Sequence, residues 1–465
     1  MIGQALAALA RRGGLAQTSA SHEAIATACA AMTAARGGVP AAVYAGFDPT
    51  GPGLHLGHLC VLRALRYCAR VGGLRPIVVI GGATAMVGDP TGRSVDRPQL
   101  SSEAVAANAA GIAADVATVL GESGVGLTVV DNSRHYADMN VITYLRTVGA
   151  HFRLTAMLNK DSVRGRVGWG AAGDDDSSTA ATGGGMSFTE FSYQTLQAYD
   201  FWRLYTDAGC VMQIGGADQW GNISAGIDYV RRMAPAGASP AVGITVPLVT
   251  TADGAKLGKS AGNAIWIAPA RTSHHALFQY LLSTRDEDVP RLLALLTDLP
   301  DEERDALVAV HAAAPDAKRG QAALANAVTA ALRGPAGLAS ARTCAAILFP
   351  DSSLWADAAG TGAAFAASAT ADDMRAITAA GVRAISVPTD RVLGAAADVV
   401  DLLTASGLAP SKSEARRQLK AGAVSINRAR VAPGVCVGAA DVVAGGYVLL
   451  GVGKRSLAVI QLEAA

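Results

Sequence analysis

The chain reads as an α/β protein: a doubly wound parallel sheet first, then a helical domain, then a small α+β domain. Three observations predict this. Between Ala41 and Ser260, short apolar runs are each followed at once by Gly and polar residues. Helical spacings such as Leu59, Leu62 and Leu65 lie between them, and alternating strand and helix signals imply a parallel sheet covered by helices. Past these runs the character changes twice, first to long helical patterns and then to one basic helix followed by short strands.

The apolar runs, in order, are Ala41–Phe47, Pro76–Ile80, Leu127–Val130, Val211–Ile214 and Ile244–Val249. Ligands of open parallel sheets sit at the carboxyl ends of the strands. The polar clusters after the runs are therefore expected to converge: Asp48-Pro49-Thr50, Gly81-Gly82-Ala83-Thr84, Asp131-Asn132, Gly215-Gly216-Ala217-Asp218-Gln219, and Lys256 to Ser260. The expected organisation is a catalytic domain over 1–270, interrupted at 168–185 by a flexible insertion rich in Gly, Ser, Thr and Asp. A helical domain over 271–350 carries Leu292, Leu293, Leu295, Leu296, Leu307, Val308 and Val310. An Ala/Gly/Ser/Thr-rich linker over 351–390 and a final domain over 391–465 complete the chain.

Composition narrows the function classes. Of 465 residues 51% are hydrophobic, which excludes a disordered tail or a fibrous repeat. Lys and Arg number 39 against 38 Asp and Glu, so the chain is no polycation, although one local patch could still meet nucleic acid. The 6 Cys are scattered without Cys-x-x-Cys spacing, which argues against a structural zinc site or a disulfide scaffold and suits a reducing compartment. No run reaches the roughly 18 apolar residues of a membrane span, and no membrane association is expected. Residues 1–22 lack acids and carry Arg11 and Arg12, a composition like that of a transit peptide; an Ala-rich first helix is the other reading.

Three constellations carry chemistry. Gly53-Leu54-His55-Leu56-Gly57-His58 lies between a strand and a helix, where small residues and free N–H groups let phosphates approach. Incidental histidines at a helix start are the plain alternative, and zinc is a weaker one because no third ligand is near. Lys256-Leu257-Gly258-Lys259-Ser260 forms a doubly cationic loop suited to a transferring phosphate chain, with Arg93 and Arg97 as a second cationic pair. Each could instead be a solvated surface turn. Between Pro410 and Val431 lie six basic residues and one acidic residue. Lys412, Arg416 and Lys420 recur every four positions, so they share a helix face suited to a phosphate backbone.

The first two constellations resemble the HIGH and KMSKS signatures of class I aminoacyl-tRNA synthetases. Further stretches narrow the resemblance to the tyrosyl-tRNA synthetases, nearly end to end: Tyr44 to Thr50, Gly88 to Gly92, Ser187 to Tyr193, Gln197 to Phe201 and Gln213 to Asn222. The resemblance implies a Rossmann-type catalytic domain, a helical anticodon-side domain and an S4-type RNA-binding domain. It implies that Tyr44 and Asp200 bind the substrate phenol, and that Asp89, Tyr193 and Gln197 bind its ammonium group. Asn132 and Gln219 complete that pocket. Gly46, Asp48, Gly57, Gly216 and Lys259 line the ATP site, where His58 and Asp218 meet the ribose. Thr50 and His55 meet the γ-phosphate, and Arg93, Arg97, Lys256, Lys259 and Ser260 close over pyrophosphate. Lys412, Arg416, Arg417 and Lys420 would contact RNA.

The same resemblance implies L-tyrosine, ATP with Mg²⁺ and tRNA(Tyr) as partners, a homodimer, and no protein-ligated metal. It departs at Ala45, Val61, Arg93 and His135, the last standing where relatives often carry Trp. The stretches Lys256 to Trp266 and Gly422 to Asn427 look closer to the mitochondrial branch, so the mitochondrial matrix is the expected compartment and a bacterial cytoplasm the alternative. Arg12 to Ser19, however, resembles the family's own first helix and turn. Two rival readings are a different nucleotidyl transferase or tryptophan enzyme, which Tyr44 with Asp200 disfavours, and a non-catalytic RNA-binding relative, which the intact His55, His58, Lys256 and Lys259 disfavour.

Overall fold

The computed structural model describes residues 1–91, 100–121, 126–160, 163–164, 186–250, 259–260, 263–348, 370–379, 381–393, 397–453 and 456–463. The chain divides into two compact units. One is Met1–Ala268 with Ala294–Leu296; the other is Pro269–Leu293 with Thr297–Ala465.

The first unit is built on a mixed six-stranded sheet of β1 (Gln17–Thr18), β2 (Ala42–Phe47), β3 (Arg75–Ile80), β4 (Thr128–Asp131), β5 (Cys210–Gly216) and β6 (Val242–Val246). The strand order is β1-β6-β5-β2-β3-β4. All neighbours are parallel except β1, which runs antiparallel along β6. The five expected runs thus become the five parallel strands. The two-residue edge strand has no apolar run to announce it. The last run ends at Val246 rather than Val249, because Pro247 has no N–H to continue the ladder. The strand order reverses between β2 and β5, which opens a crevice at their carboxyl ends.

Helices Leu59–Arg70, Ser102–Leu120, Phe188–Ala208 and Trp220–Met233 pack on this sheet. Val148, Ala198, Tyr199, Ala225 and Tyr229 form one buried cluster beside it. Among the described residues, Ser102–Leu120 alone is long and apolar enough to cross a membrane. Its face bearing Ile112, Val116, Val119 and Leu120 is buried in this unit.

The second unit begins with helices His274–Leu282, Asp301–Ala313 and Arg319–Leu348. The last helix is interrupted at Gly334 (φ 67°), just before Pro335, whose ring and missing N–H forbid a regular turn. The expected linker over 351–390 requires correction in its described part. Ala371–Ala379 is a helix, and Arg383–Pro388 is a strand lying parallel to Ser456–Glu463. The signal was weak because only Ile385 and Val387 of that strand face the core. The rest of this five-stranded sheet is Ala429–Arg430, Val424–Ile426 and Tyr447–Val452. It packs with helices Val399–Ala405 and Lys412–Lys420 around Val400, Leu403, Leu419, Ile426, Leu450 and Ile460. The insertion at 168–185 lies outside the described residues.

Candidate active site

Parallel register brings the strand ends together: Phe47 lies beside Ile80, Ile80 beside Asp131, and Gly216 beside Val246. The polar residues that follow then bond across strands. Thr84 Oγ1 donates to Asp48 Oδ1 at 2.7 Å, and Tyr193 Oη donates to Asp48 Oδ2 at 2.8 Å. The Ala83 N–H donates to Asn132 Oδ1 at 2.9 Å, which orients the Asn132 amide so that Nδ2 donates to Thr84 at 3.0 Å. The approach is close enough to require glycine: a Cβ on Gly81 would collide with Asp48 and Thr84, and one on Gly82 with the Asp131 carboxylate. Gln219 Nε2 donates to Asp89 Oδ2 at 2.7 Å.

These groups border a cleft of about 480 Å³. Of the residues singled out in the sequence, Tyr44, Gly46, Asp48, Thr50, His55, Gly57, His58, Asp89, Asn132, Tyr193, Gln197, Asp200, Gly216, Asp218 and Gln219 all line it. Gly46 is the one exposed residue of β2 and opens the sheet toward the cleft. Arg93, Arg97 and Lys256 lie outside the described residues. Lys259 and Ser260 are described only as backbone, in a two-residue strand paired with Asn263–Ala264.

The histidine loop is fixed through its own backbone. The Gly57 N–H donates to His55 Nδ1 and the His55 N–H to His58 Nδ1, both at 3.1 Å. With Nδ1 accepting in each ring, each neutral imidazole carries its proton on Nε2 and is a donor there. The two rings stack with centroids 4.0 Å apart. The segment after the cationic loop pairs with this one: the Leu56 N–H donates to Ile265 O and the Ile267 N–H to Leu54 O, each at 2.8 Å. The helix Ser102–Leu120 braces the same loop from below. Asn108 donates to Pro49 O at 3.0 Å, and buried Asp115 accepts the Leu54 N–H at 2.6 Å.

Tyr44 and Asp200 line the cleft and are almost fully buried, 2% and 3% exposed. The Tyr44 hydroxyl has no hydrogen-bond partner among the described residues. Burial first, then the neighbouring Cys210 and Asp200, raise its pKa well above that of an ordinary phenol. Asp200 is gripped by one turn of chain. Asn132 Nδ2 donates to Oδ2 at 2.8 Å, His135 Nδ1 lies 2.7 Å from Oδ1, and Tyr136 Oη lies 3.0 Å from Oδ1. Burial pushes the Asp200 carboxyl up, and these hydrogen bonds oppose the rise. The roles of His135, Tyr136, Thr84, Asn108 and Asp115 were not read from the sequence. The only signal was the spacing of 132, 135 and 136, which places three polar side chains on one turn.

In the second unit, Lys412, Arg416, Arg417 and Lys420 are exposed on the helix Lys412–Lys420, whose opposite face buries Ala415 and Leu419. Lys412 pairs with Asp401 and Arg417 with Glu414, both at 2.7 Å.

Comparison with known proteins identifies the family. Residues 37–349 match the model of class I tRNA synthetases for tryptophan and tyrosine, and residues 381–460 match a tyrosine–tRNA ligase SYY-like C-terminal domain. A tyrosine–tRNA ligase of Anaeromyxobacter dehalogenans is 41% identical over 426 residues, 91% of this chain and 93% of the relative. A mitochondrial tyrosine–tRNA ligase of Rattus norvegicus is 35% identical, covering 92% of this chain and 86% of the relative. The crystal structure of a C-terminally truncated mitochondrial tyrosyl-tRNA synthetase of Aspergillus nidulans superposes with a TM-score of 0.60 at 28% identity, over 72% of this chain and 92% of that one. On the cleft, its motifs and these matches together, the chain belongs to the class I tyrosine–tRNA ligases.

Proposed function

We propose that this cleft holds tyrosine and ATP side by side and carries out both half-reactions of the family's chemistry. As a tyrosine–tRNA ligase, the chain is an ATP-dependent enzyme that charges tRNA with tyrosine. In the first step a tyrosine carboxylate oxygen attacks the α-phosphorus of ATP. The new O–P bond gives tyrosyl-adenylate as the bond to pyrophosphate breaks. The carboxylate is already a nucleophile, so the protein needs no general base; its work is orientation and neutralisation of charge. In the second step a terminal ribose hydroxyl of tRNA takes the tyrosyl group and AMP leaves.

The residue roles are those that the family resemblance implies, and the chemistry of the side chains supports them. The phenol reaches Tyr44 and Asp200, while Asp89, Tyr193 and Gln197 take the ammonium group, with Asn132 and Gln219 behind them. His58 and Asp218 serve the ribose beside Gly46, Asp48, Gly57 and Gly216. Thr50 and the Nε2–H of His55 donate to the phosphates. Arg93, Arg97, Lys256, Lys259 and Ser260 supply the cationic side. ATP enters as its Mg²⁺ complex, with the metal as part of the substrate. Among the described residues no group of three His, Cys, Asp or Glu is placed to hold a metal ion.

The surrounding architecture is read the same way: a Rossmann-type catalytic domain, a helical anticodon-side domain, and an S4-type domain whose Lys412, Arg416, Arg417 and Lys420 meet tRNA. A homodimer is supported by Val141, Ile142, Leu145 and Leu154, which stand 68%, 69%, 49% and 65% exposed on one stretch of the first unit. Bacterial and mitochondrial relatives both match at length. Fractionation of a tagged full-length gene product separates the matrix from a bacterial cytoplasm.

One observation carries the reading: an unpartnered, buried Tyr44 hydroxyl beside the Asp200 carboxylate, in the same cleft as His55 and His58. Tyrosine-dependent ATP–pyrophosphate exchange tests it. Exchange driven by another amino acid and not by tyrosine would overturn it, as would tight tRNA binding with no adenylate formed.

A further inference from the structure

Resting on the reading of this cleft as a tyrosine pocket, we propose that His135 is a positioning residue that sets discrimination between tyrosine and phenylalanine, by holding Asp200 so that an open acceptor site on Oδ2 meets the substrate. A carboxylate offers about four acceptor sites and no donor. At Asp200, Oδ2 takes the Asn132 amide at 2.8 Å. Oδ1 takes His135 at 2.7 Å, and because an ionised carboxylate only accepts, His135 Nδ1 carries the proton. Tyr136 is a divided donor: its single hydroxyl proton has two acceptors at 3.0 Å, Asp200 Oδ1 and Leu196 O. His135 is therefore the committed donor on Oδ1. It is also buried and, among the described residues, not part of the cleft wall, so it acts through Asp200 and not by touching the substrate.

The open acceptor site on Oδ2 meets a substrate hydroxyl with Tyr44 beside it. A phenylalanine ring leaves both groups buried and unpaired, which is what a polar pocket rejects most strongly. Without the His135 donor the carboxylate can turn, expose Oδ1 or take up a proton, and the penalty against phenylalanine falls. Burial already pushes this carboxyl toward protonation.

The test uses the full-length enzyme in pyrophosphate exchange, comparing kcat/KM for tyrosine and phenylalanine. His135→Asn places an amide N–H where Nδ1 was; His135→Gln carries a similar amide one carbon too far. We expect the Asn variant to keep the wild-type tyrosine/phenylalanine ratio within about threefold. The Gln variant should lose about 10- to 100-fold of that ratio, mostly through KM for tyrosine, with KM for ATP unchanged. Equal ratios in the two variants, whether both retained or both lost, would overturn the proposal. Tyr136→Phe is an independent arm that does not depend on those variants folding: it should shift the ratio less than about threefold, and a loss of 10-fold or more would give the Oδ1 donor role to Tyr136 instead. Wild-type enzyme that shows no tyrosine-driven exchange would sink the pocket reading itself, a result distinct from any of these.

Discussion

The cleft of the first unit and the basic helix of the second handle charge in opposite ways. Asp200 is 3% exposed, and its neighbours aim hydrogen bonds at it from fixed directions. Lys412, Arg416 and Lys420 stand in water, and the pair Lys412–Asp401 has side chains 59% and 41% exposed. In the first setting the low dielectric makes each unmade bond costly, so geometry selects the ligand. In the second, solvent and salt screen each charge, so a surface of this kind would attract phosphates without choosing among sequences. On the proposed reading, selection and capture fall to different parts of one chain.

The strongest test of that contrast is Asp200→Asn. The amide turns a donor toward donors already in place, and kcat/KM for tyrosine should fall about 10³-fold in pyrophosphate exchange. A loss under tenfold would mean that the buried carboxylate does not select. Next is His55→Ala, which removes an oriented Nε2–H from the phosphate side. Stopped-flow adenylate formation should slow about 100-fold with little change in tyrosine affinity, and a change in affinity alone would move His55 out of the transition state.

Replacing Lys412, Arg416 and Lys420 together with Ala should weaken tRNA binding and flatten its log–log salt dependence by about 2–3, with pyrophosphate exchange untouched. An unchanged salt slope would remove the basic helix from the RNA path. The smallest effect concerns pH. The Asp200 carboxyl is raised by burial, and its ionised form is the stronger acceptor, with no proton of its own to compete with a phenol. Tyrosine kcat/KM should therefore begin to fall, as pH is lowered, above the usual carboxyl range of about 4.

The sheet was legible because each parallel strand is an apolar run closed by Gly and polar residues, and parallel register makes those closures meet. Thus Asp48, Thr84, Asn132 and Gln219 are expected in one place from the amino-acid sequence alone. The edge strand Gln17–Thr18 was not legible, since two polar residues make no pattern. Arg383–Pro388 was lost in its Ala-rich surroundings, because only two of its side chains are turned to the core. Tyr44 and Asp200 were paired through family resemblance, not through any local signal. His135 was noticed only as a departure. Its partner lies 65 residues away, and no periodicity marks a histidine that will meet a buried carboxylate.

The ladder joining Leu54 and Leu56 to Ile265 and Ile267 ties the histidine segment to the stretch that follows the cationic loop, far away in the chain. The lysine-bearing stretch is thereby anchored at its downstream end to the very backbone that presents His55. Each segment supplies a backbone partner to the other, so displacing one leaves polar groups of its companion unpaired.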